Sequence, residues 1–184
     1  MKRIGLISDT HGYLDEKVFK YFAECDEIWH AGDIGNIEVA DQLAAFKPFR
    51  AVYGNIDGMP HRTMFPETLR FKCEEMEIMM THIGGRPYVY PPAVRTAFKE
   101  RSPDIFICGH SHILRVEFDK RQKVLYLNPG AVGIHGFHKV KTLLRFSIEG
   151  KKISNMEAIE LGPRALSKAE KEALLRGGEE MGGD

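Results

Sequence analysis

Residues 4–53 read IGLISDTHGYLDEKVFKYFAECDEIWHAGDIGNIEVADQLAAFKPFRAVY, and the order of apolar runs within them decides the fold. Three short runs, Ile4-Gly5-Leu6-Ile7, Glu27-Ile28-Trp29 and Phe49-Arg50-Ala51-Val52-Tyr53, are separated by amphipathic stretches, Leu14 to Cys25 and Ile37 to Phe46. Strand, helix, strand, helix, strand is the α/β pattern. In the first helical stretch Leu14, Val18, Tyr21, Phe22 and Cys25 fall at helical spacing and form one apolar stripe. Pro48 separates the second helix from the third strand, because proline cannot continue a helix.

Beyond residue 60 the chain turns largely to β. Strands are predicted at Thr68 to Cys73, Glu77 to Thr81, Asp104 to Cys108, Leu114 to Phe118, Lys123 to Leu127, Thr142 to Ile148 and Lys152 to Ile159, with a helix around Ala93 to Arg101. Several alternate apolar and polar residues with a period of two. No linker divides the halves. The expectation is therefore one domain over residues 1–162, two sheets with helices outside, then a charged helix and fraying tail over 163–184 that includes Gly177-Gly178 and Gly182-Gly183.

Composition agrees with this. The chain has 184 residues, 43% of them hydrophobic, which suits one domain that buries roughly 70% of its unfolded surface. Disordered and collagen-like classes are excluded. Lys and Arg number 26, as do Asp and Glu, so the balanced charge speaks against a dedicated nucleic-acid binder. No membrane-length apolar run or signal-type leader is evident, and a cytoplasmic protein is expected. Cys25, Cys73 and Cys108 lie far apart in or beside apolar runs and read as buried small hydrophobes; only Cys108, near His110, is a candidate reactive thiol.

The chemistry gathers where strands end. Ile7-Ser8 runs into Asp9-Thr10-His11, Trp29-His30-Ala31 into Gly32-Asp33, Val52-Tyr53 into Gly54-Asn55, Met80-Thr81 into His82, and Ile107-Cys108 into Gly109-His110-Ser111-His112. In open α/β sheets such ends collect on one edge, where ligands bind. A single D-x-H or H-x-H is weak, since chance supplies each roughly 0.3–0.4 times at this composition. The ordered set of five is not weak, because independent turns have no reason to end only in Asp, Asn and His. Asp9, His11, Asp33, Asn55, His82, His110 and His112 are too many for one zinc ion, which takes about four ligands. They suit two divalent ions sharing a carboxylate, with Mn²⁺, Fe²⁺, Zn²⁺, Ni²⁺ and Mg²⁺ all admissible and Mn²⁺ expected. Such a pair, roughly 3.5–4 Å apart, lowers the pKa of a bridging water and holds the oxygens of an in-line phosphoryl displacement.

This order of motifs, completed by Asn128-Pro129-Gly130, resembles the calcineurin-like metallophosphoesterases, and within them the YfcE-type phosphodiesterases. The resemblance covers about residues 1–160. It implies a four-layer αββα sandwich of two mixed sheets. It implies that Asp9, His11, Asp33 and His112 hold one ion and Asp33, Asn55, His82 and His110 the other, with a bridging hydroxide as nucleophile and a small phosphoester as substrate. It also implies self-association. Many members carry His directly after the metal-binding Asn as general acid, whereas this chain has Ile56 followed by Asp57; Asp57 is either a replacement acid or a turn cap before Gly58.

Three further residues are candidates for gripping phosphate: His135 and His138 in the loop after Gly130, and Arg86 just past His82. His30 reads as a core or supporting histidine and His61 as an exposed loop residue, while Thr10 and Ser111 shape the turns around the ligands. Tyr88 and Tyr90 either line the pocket mouth or pack within their loop. Competing functions on the same fold are a phosphomonoesterase, a nuclease, and a non-catalytic scaffold of the retromer-subunit kind. The complete ligand set favours catalysis.

Overall fold

The computed structural model describes residues 1–179, so the tail through Gly182-Gly183 lies outside the described residues. Two five-stranded mixed sheets face each other. In the first, β1 (Lys2–Ile7) has β2 (Glu27–His30) and then β3 (Phe49–Ala51) parallel on one side, with β9 (Val140–Glu149) antiparallel to it on the other and β10 (Lys152–Pro163) antiparallel to β9 at the edge. In the second, β4 (Thr68–Cys73) pairs antiparallel with β5 (Met76–Thr81). Parallel β6 (Ile105–Ile107) and β8 (Val124–Pro129) follow, and antiparallel β7 (Leu114–Asp119) closes the edge.

Alternation along the strands sorts side chains into three cores. Ile4 and Leu6 of β1, Trp29 of β2, Ile78 and Met80 of β5, and Ile105 and Ile107 of β6 fill the space between the sheets. The opposite faces pack on helices. Ile7 and Ile28 meet Val18 and Phe22 of α1 (Lys17–Phe22) and Val39 and Leu43 of α2 (Ile37–Phe46). Met79 and Phe106 meet Val94 and Phe98 of α4 (Pro92–Glu100). This is the expected αββα layering. α5 (Lys168–Glu179) follows β10, and no helix among the described residues is long and apolar enough to cross a membrane.

The differences from expectation are local. α1 is shorter than its apolar stripe at both ends; at the N-terminal end Asp15 lies before the helix, its carboxylate accepting the Lys17 N–H at 3.0 Å and the buried Lys141 ammonium at 2.6 Å. His61 is not an exposed loop residue. It starts a four-residue helix, α3 (His61–Met64), and is 4% exposed. Tyr90 is packed rather than presented: its hydroxyl donates to the Asp119 carboxylate at 2.8 Å within the α4 core. All three cysteines are free and buried, and burial pushes the Cys108 thiol up to about 12, which leaves no reactive thiolate.

Candidate metal centre

β1, β2 and β3 run parallel in one sheet and β5 and β6 in the other, so their C-terminal ends gather on one edge of each sheet, and contacts such as His110 N–H to Asp9 Oδ2 at 3.1 Å bring the two edges together. Two glycines permit the meeting. A Cβ on Gly54 would overlap Asp33, and one on Gly109 would overlap Ser8 and Asp9. The loops are then tied together: Gly109 N–H donates to the His82 carbonyl at 3.0 Å within the second sheet, and Gly133 N–H donates to the Asp9 carbonyl at 3.0 Å, joining the loop after β8 to that after β1. Asn128, quoted above only as part of a motif, holds the Gly109 to His112 loop by donating to the Gly109 carbonyl at 2.9 Å and to Ser111 Oγ at 3.1 Å.

Backbone conformation marks the site independently. Asp9, His11, Asp33, His110 and His112 all have φ between 48° and 67°, the left-handed region that costs a non-glycine residue about 1 kcal/mol or more. Such conformations persist only where the surroundings enforce them, and five of them fall on candidate ligands.

The side chains converge as two groups, Asp9, His11 and His112, and Asp33, His82 and His110. Each aspartate has one oxygen held by protein donors and one turned to the histidines. Asp9 Oδ2 accepts from Ser8 Oγ at 2.6 Å and from the His110 N–H at 3.1 Å, leaving Oδ1 at 3.0 Å from His112 Nε2. Asp33 Oδ1 accepts the Ile56 N–H at 3.0 Å, while Oδ2 lies 3.6 Å from His11 Nε2 and 3.2 Å from His82 Nε2. Asp33 thus touches both groups.

The hydrogen bonds also fix which imidazole nitrogens are bare. His82 Nδ1 lies 2.7 Å from the Ala31 carbonyl, which only accepts, so Nδ1 carries a proton and Nε2, facing Asp33, is the nitrogen that the neutral ring offers to a cation. His138 donates from Nε2 to the Gly133 carbonyl at 2.9 Å, and burial holds it below the usual imidazole range and therefore neutral. Its Nδ1 then accepts from His112 Nδ1, at 3.2 Å, so that a neutral His112 presents its lone pair from Nε2, on the side of Asp9. A lone pair opposite a carboxylate oxygen is repulsive unless a cation stands between them. Asp9 Oδ1, His11 Nε2 and His82 Nε2 are buried without any hydrogen-bond partner. The electrostatics call for positive charge between these groups, whether a proton or a divalent cation: although burial opposes it, the paired imidazoles hold Asp9 and Asp33 below the usual carboxylate range, and the carboxylates raise His11 and His82. A donor set of carboxylate oxygens and unprotonated imidazoles fits divalent cations.

Asn55 is exposed and lines, with His82, a cleft of about 510 Å³ beside the centre. Asp57 does not face that opening: it is 1% exposed, and its carboxylate accepts the N–H groups of Ile34, Gly35 and Gly54 at 2.8–3.0 Å, bracing the loops that carry Asp33 and Asn55. His135 is exposed with its ring 6.1 Å from that of His11. His138 has both nitrogens committed and supports His112. Arg86 is exposed beside a different hollow, shared with Ser111 and Arg115. His30 supports both groups from below: its Nε2 is 2.9 Å from Thr10 Oγ1, and its Nδ1 accepts the Gly32 N–H at 3.1 Å. Arg62, which sequence reasoning passed over, lines the cleft from α3.

The family model for the calcineurin-like phosphoesterase superfamily domain matches residues 1–151. A probable metallophosphoesterase of Methanocaldococcus jannaschii is 31% identical over 166 residues, covering 85% of this chain and 81% of the relative. Among solved structures, one described as a novel archaeal phosphodiesterase superposes with TM-score 0.70 at 22% identity, over 86% of this chain and 99% of its own. Vps29 of Chaetomium thermophilum superposes with TM-score 0.68 at 15% identity, over 89% and 100%. At these identities the solved structures establish shared fold alone.

Proposed function

The chain belongs to the calcineurin-like phosphoesterase superfamily, and from that premise we propose that it is a dinuclear metal-dependent phosphodiesterase acting on small phosphoesters. Asp9, His11, Asp33 and His112 hold one ion in this reading, and Asp33, Asn55, His82 and His110 the other. The observation that carries it is Asp33 Oδ2, set between imidazole nitrogens of both groups at 3.6 and 3.2 Å. Divalent ions bound there would supply a hydroxide nucleophile at neutral pH and Lewis-acid stabilisation of the phosphoryl oxygens, with Mn²⁺ as the working metal.

The chain's own residues bind and orient. His135, beside His11 and exposed, is the proposed donor to a phosphate oxygen. Ile56 has no proton to give, and Asp57 is occupied by three backbone donors. Departure of the alcohol therefore proceeds without a dedicated acid from this loop, which favours phenols and other acidic leaving groups. The likeness to an archaeal phosphodiesterase supports diesters over monoesters. The branch resemblance adds a self-associated, cytoplasmic form to the proposal.

Chelator-stripped protein, given Mn²⁺, Ni²⁺, Zn²⁺ or Mg²⁺ singly, is assayed on bis(p-nitrophenyl) phosphate and p-nitrophenyl phosphate beside Asp33→Ala. Metal-dependent diester cleavage that the variant loses is the expected result. Preference for the monoester would make it a phosphomonoesterase, and no turnover with two ions bound would return the scaffold reading suggested by Vps29.

A further inference from the structure

The cleft beside the centre has a lining unlike that of the centre itself. Asn55 and His82 are part of it, so a group bound in the cleft is continuous with a phosphoryl group at the ligands. Much of the remaining lining is apolar: Met79 of β5, Ile83, and Ala93, Val94 and Ala97 of α4. Ile83 follows His82 directly and is 48% exposed, a large aliphatic side chain left in water at the rim of a polar site.

Arg62 is held in place there. Its guanidinium lies over the Tyr53 ring at 4.7 Å, and its Nε donates to the Asp57 carbonyl at 2.6 Å. The terminal nitrogens have no partner among the described residues. Glu67 lies in the same lining, so the cleft's own formal charges cancel. A second anionic group gains little in a neutral, mostly apolar cleft. A flat neutral ring gains twice, from burial against the α4 wall and from the face of a fixed guanidinium.

We propose that this cleft is the subsite for an aromatic ester group of the phosphodiester, with Arg62 as its specificity-determining residue. The inference rests on the phosphodiesterase reading and adds the substrate class to it. The volume of about 510 Å³ accommodates one ring system with room for substituents.

The test uses the full metal-loaded chain and three diesters that share p-nitrophenolate as leaving group, the other ester being phenyl, cyclohexyl or methyl. Wild type should favour phenyl over methyl by roughly tenfold or more in kcat/KM, and over cyclohexyl by about threefold. Ala93→Trp, a substitution at an exposed position of α4, fills the cleft and should bring the phenyl ester's kcat/KM down to that of the methyl ester measured on the same variant. Arg62→Met should erase the preference for phenyl over cyclohexyl. Binding is read separately by the methyl resonances of Ile83, Val94 and Ala97 during titration with phenylphosphonate, against methylphosphonate as control. Turnover without ester preference, or an Ala93→Trp defect equal for all three, overturns the subsite alone. No turnover of any ester overturns the phosphodiesterase reading and the subsite with it.

Discussion

Asp9, His11 and His112 are buried or half-buried, whereas in the group of Asp33, His82 and His110 two side chains are buried and the third, His110, is exposed. In the first group Ser8 and the His110 N–H hold Asp9, and His138, itself held by the Gly133 carbonyl, holds His112. In the second, His82 is buried and fixed by Ala31, but His110 is exposed and the cleft begins at His82. Rigidity and access are thus divided between two halves of one centre. The better-supported half should bind its ion more tightly, since ligands already oriented lose less freedom on binding.

The largest effect belongs to the residue shared by both halves. Asp33→Ala removes the oxygen between His11 and His82, and the proposed diesterase activity should fall by about 10³ or more with weakened binding of both proposed ions. Loss of one ion only, by metal analysis after dialysis, would show that Asp33 serves a single half.

The floor beneath both halves is tested by pH. Burial pushes the His30 imidazole down to about 4, and the Gly32 N–H aimed at its Nδ1 leaves no room for a second proton. The unfolded chain has His30 near 6.5. Between those values the unfolded state takes up a proton that the folded state refuses, so stability falls as pH drops from about 6.5 to 4 and the loss stops below. The loss from this residue totals about 3 kcal/mol. Urea midpoints of metal-free protein, wild type against His30→Gln, isolate it: the variant should show the shallower decline, and parallel curves would refute the assignment.

Asp57 distinguishes bracing from catalysis. In Asp57→Asn, whichever way the amide is turned, an NH₂ group opposes at least one of the three backbone donors, which costs about 2 kcal/mol of stability. Its dependence of kcat on leaving-group pKa should match that of wild type. A steeper dependence in the variant would make Asp57 a proton donor after all.

Both the two-sheet layering and the gathering of candidate ligands at one edge were legible because each rests on a local pattern. Short apolar runs at β1, β5 and β6 predict buried strands, and a polar residue just past each strand predicts a shared edge. Supporting contacts were not legible. His61 between Pro60 and Arg62 reads as loop, yet tertiary packing buries it. Arg62 carries no signal until α3 brings it over Tyr53. Asp15 and Lys141 are 126 residues apart, and nothing local announces that they pair. His138 was visible only as a free imidazole in a glycine-rich loop, because its partner carbonyl at Gly133 and its partner ring at His112 are fixed by the folded loop.

That last residue gives the finest measure of the difference between the halves. The Gly133 carbonyl sets the His138 tautomer, which sets that of His112, so His138→Phe should leave the fold intact while freeing His112 to rotate and to place its proton on either nitrogen. The cost falls on one half alone: affinity for one of two ions should drop by about ten- to a hundredfold, with the other unchanged in a calorimetric titration. His138→Gln, whose amide can still accept from His112 Nδ1, should recover part of it. The imidazole resonances of His112 in metal-free protein supply the reading that a packing defect would not produce, since only loss of the relay moves the proton from Nδ1. Equal weakening of both ions would mean that the two halves are mechanically one.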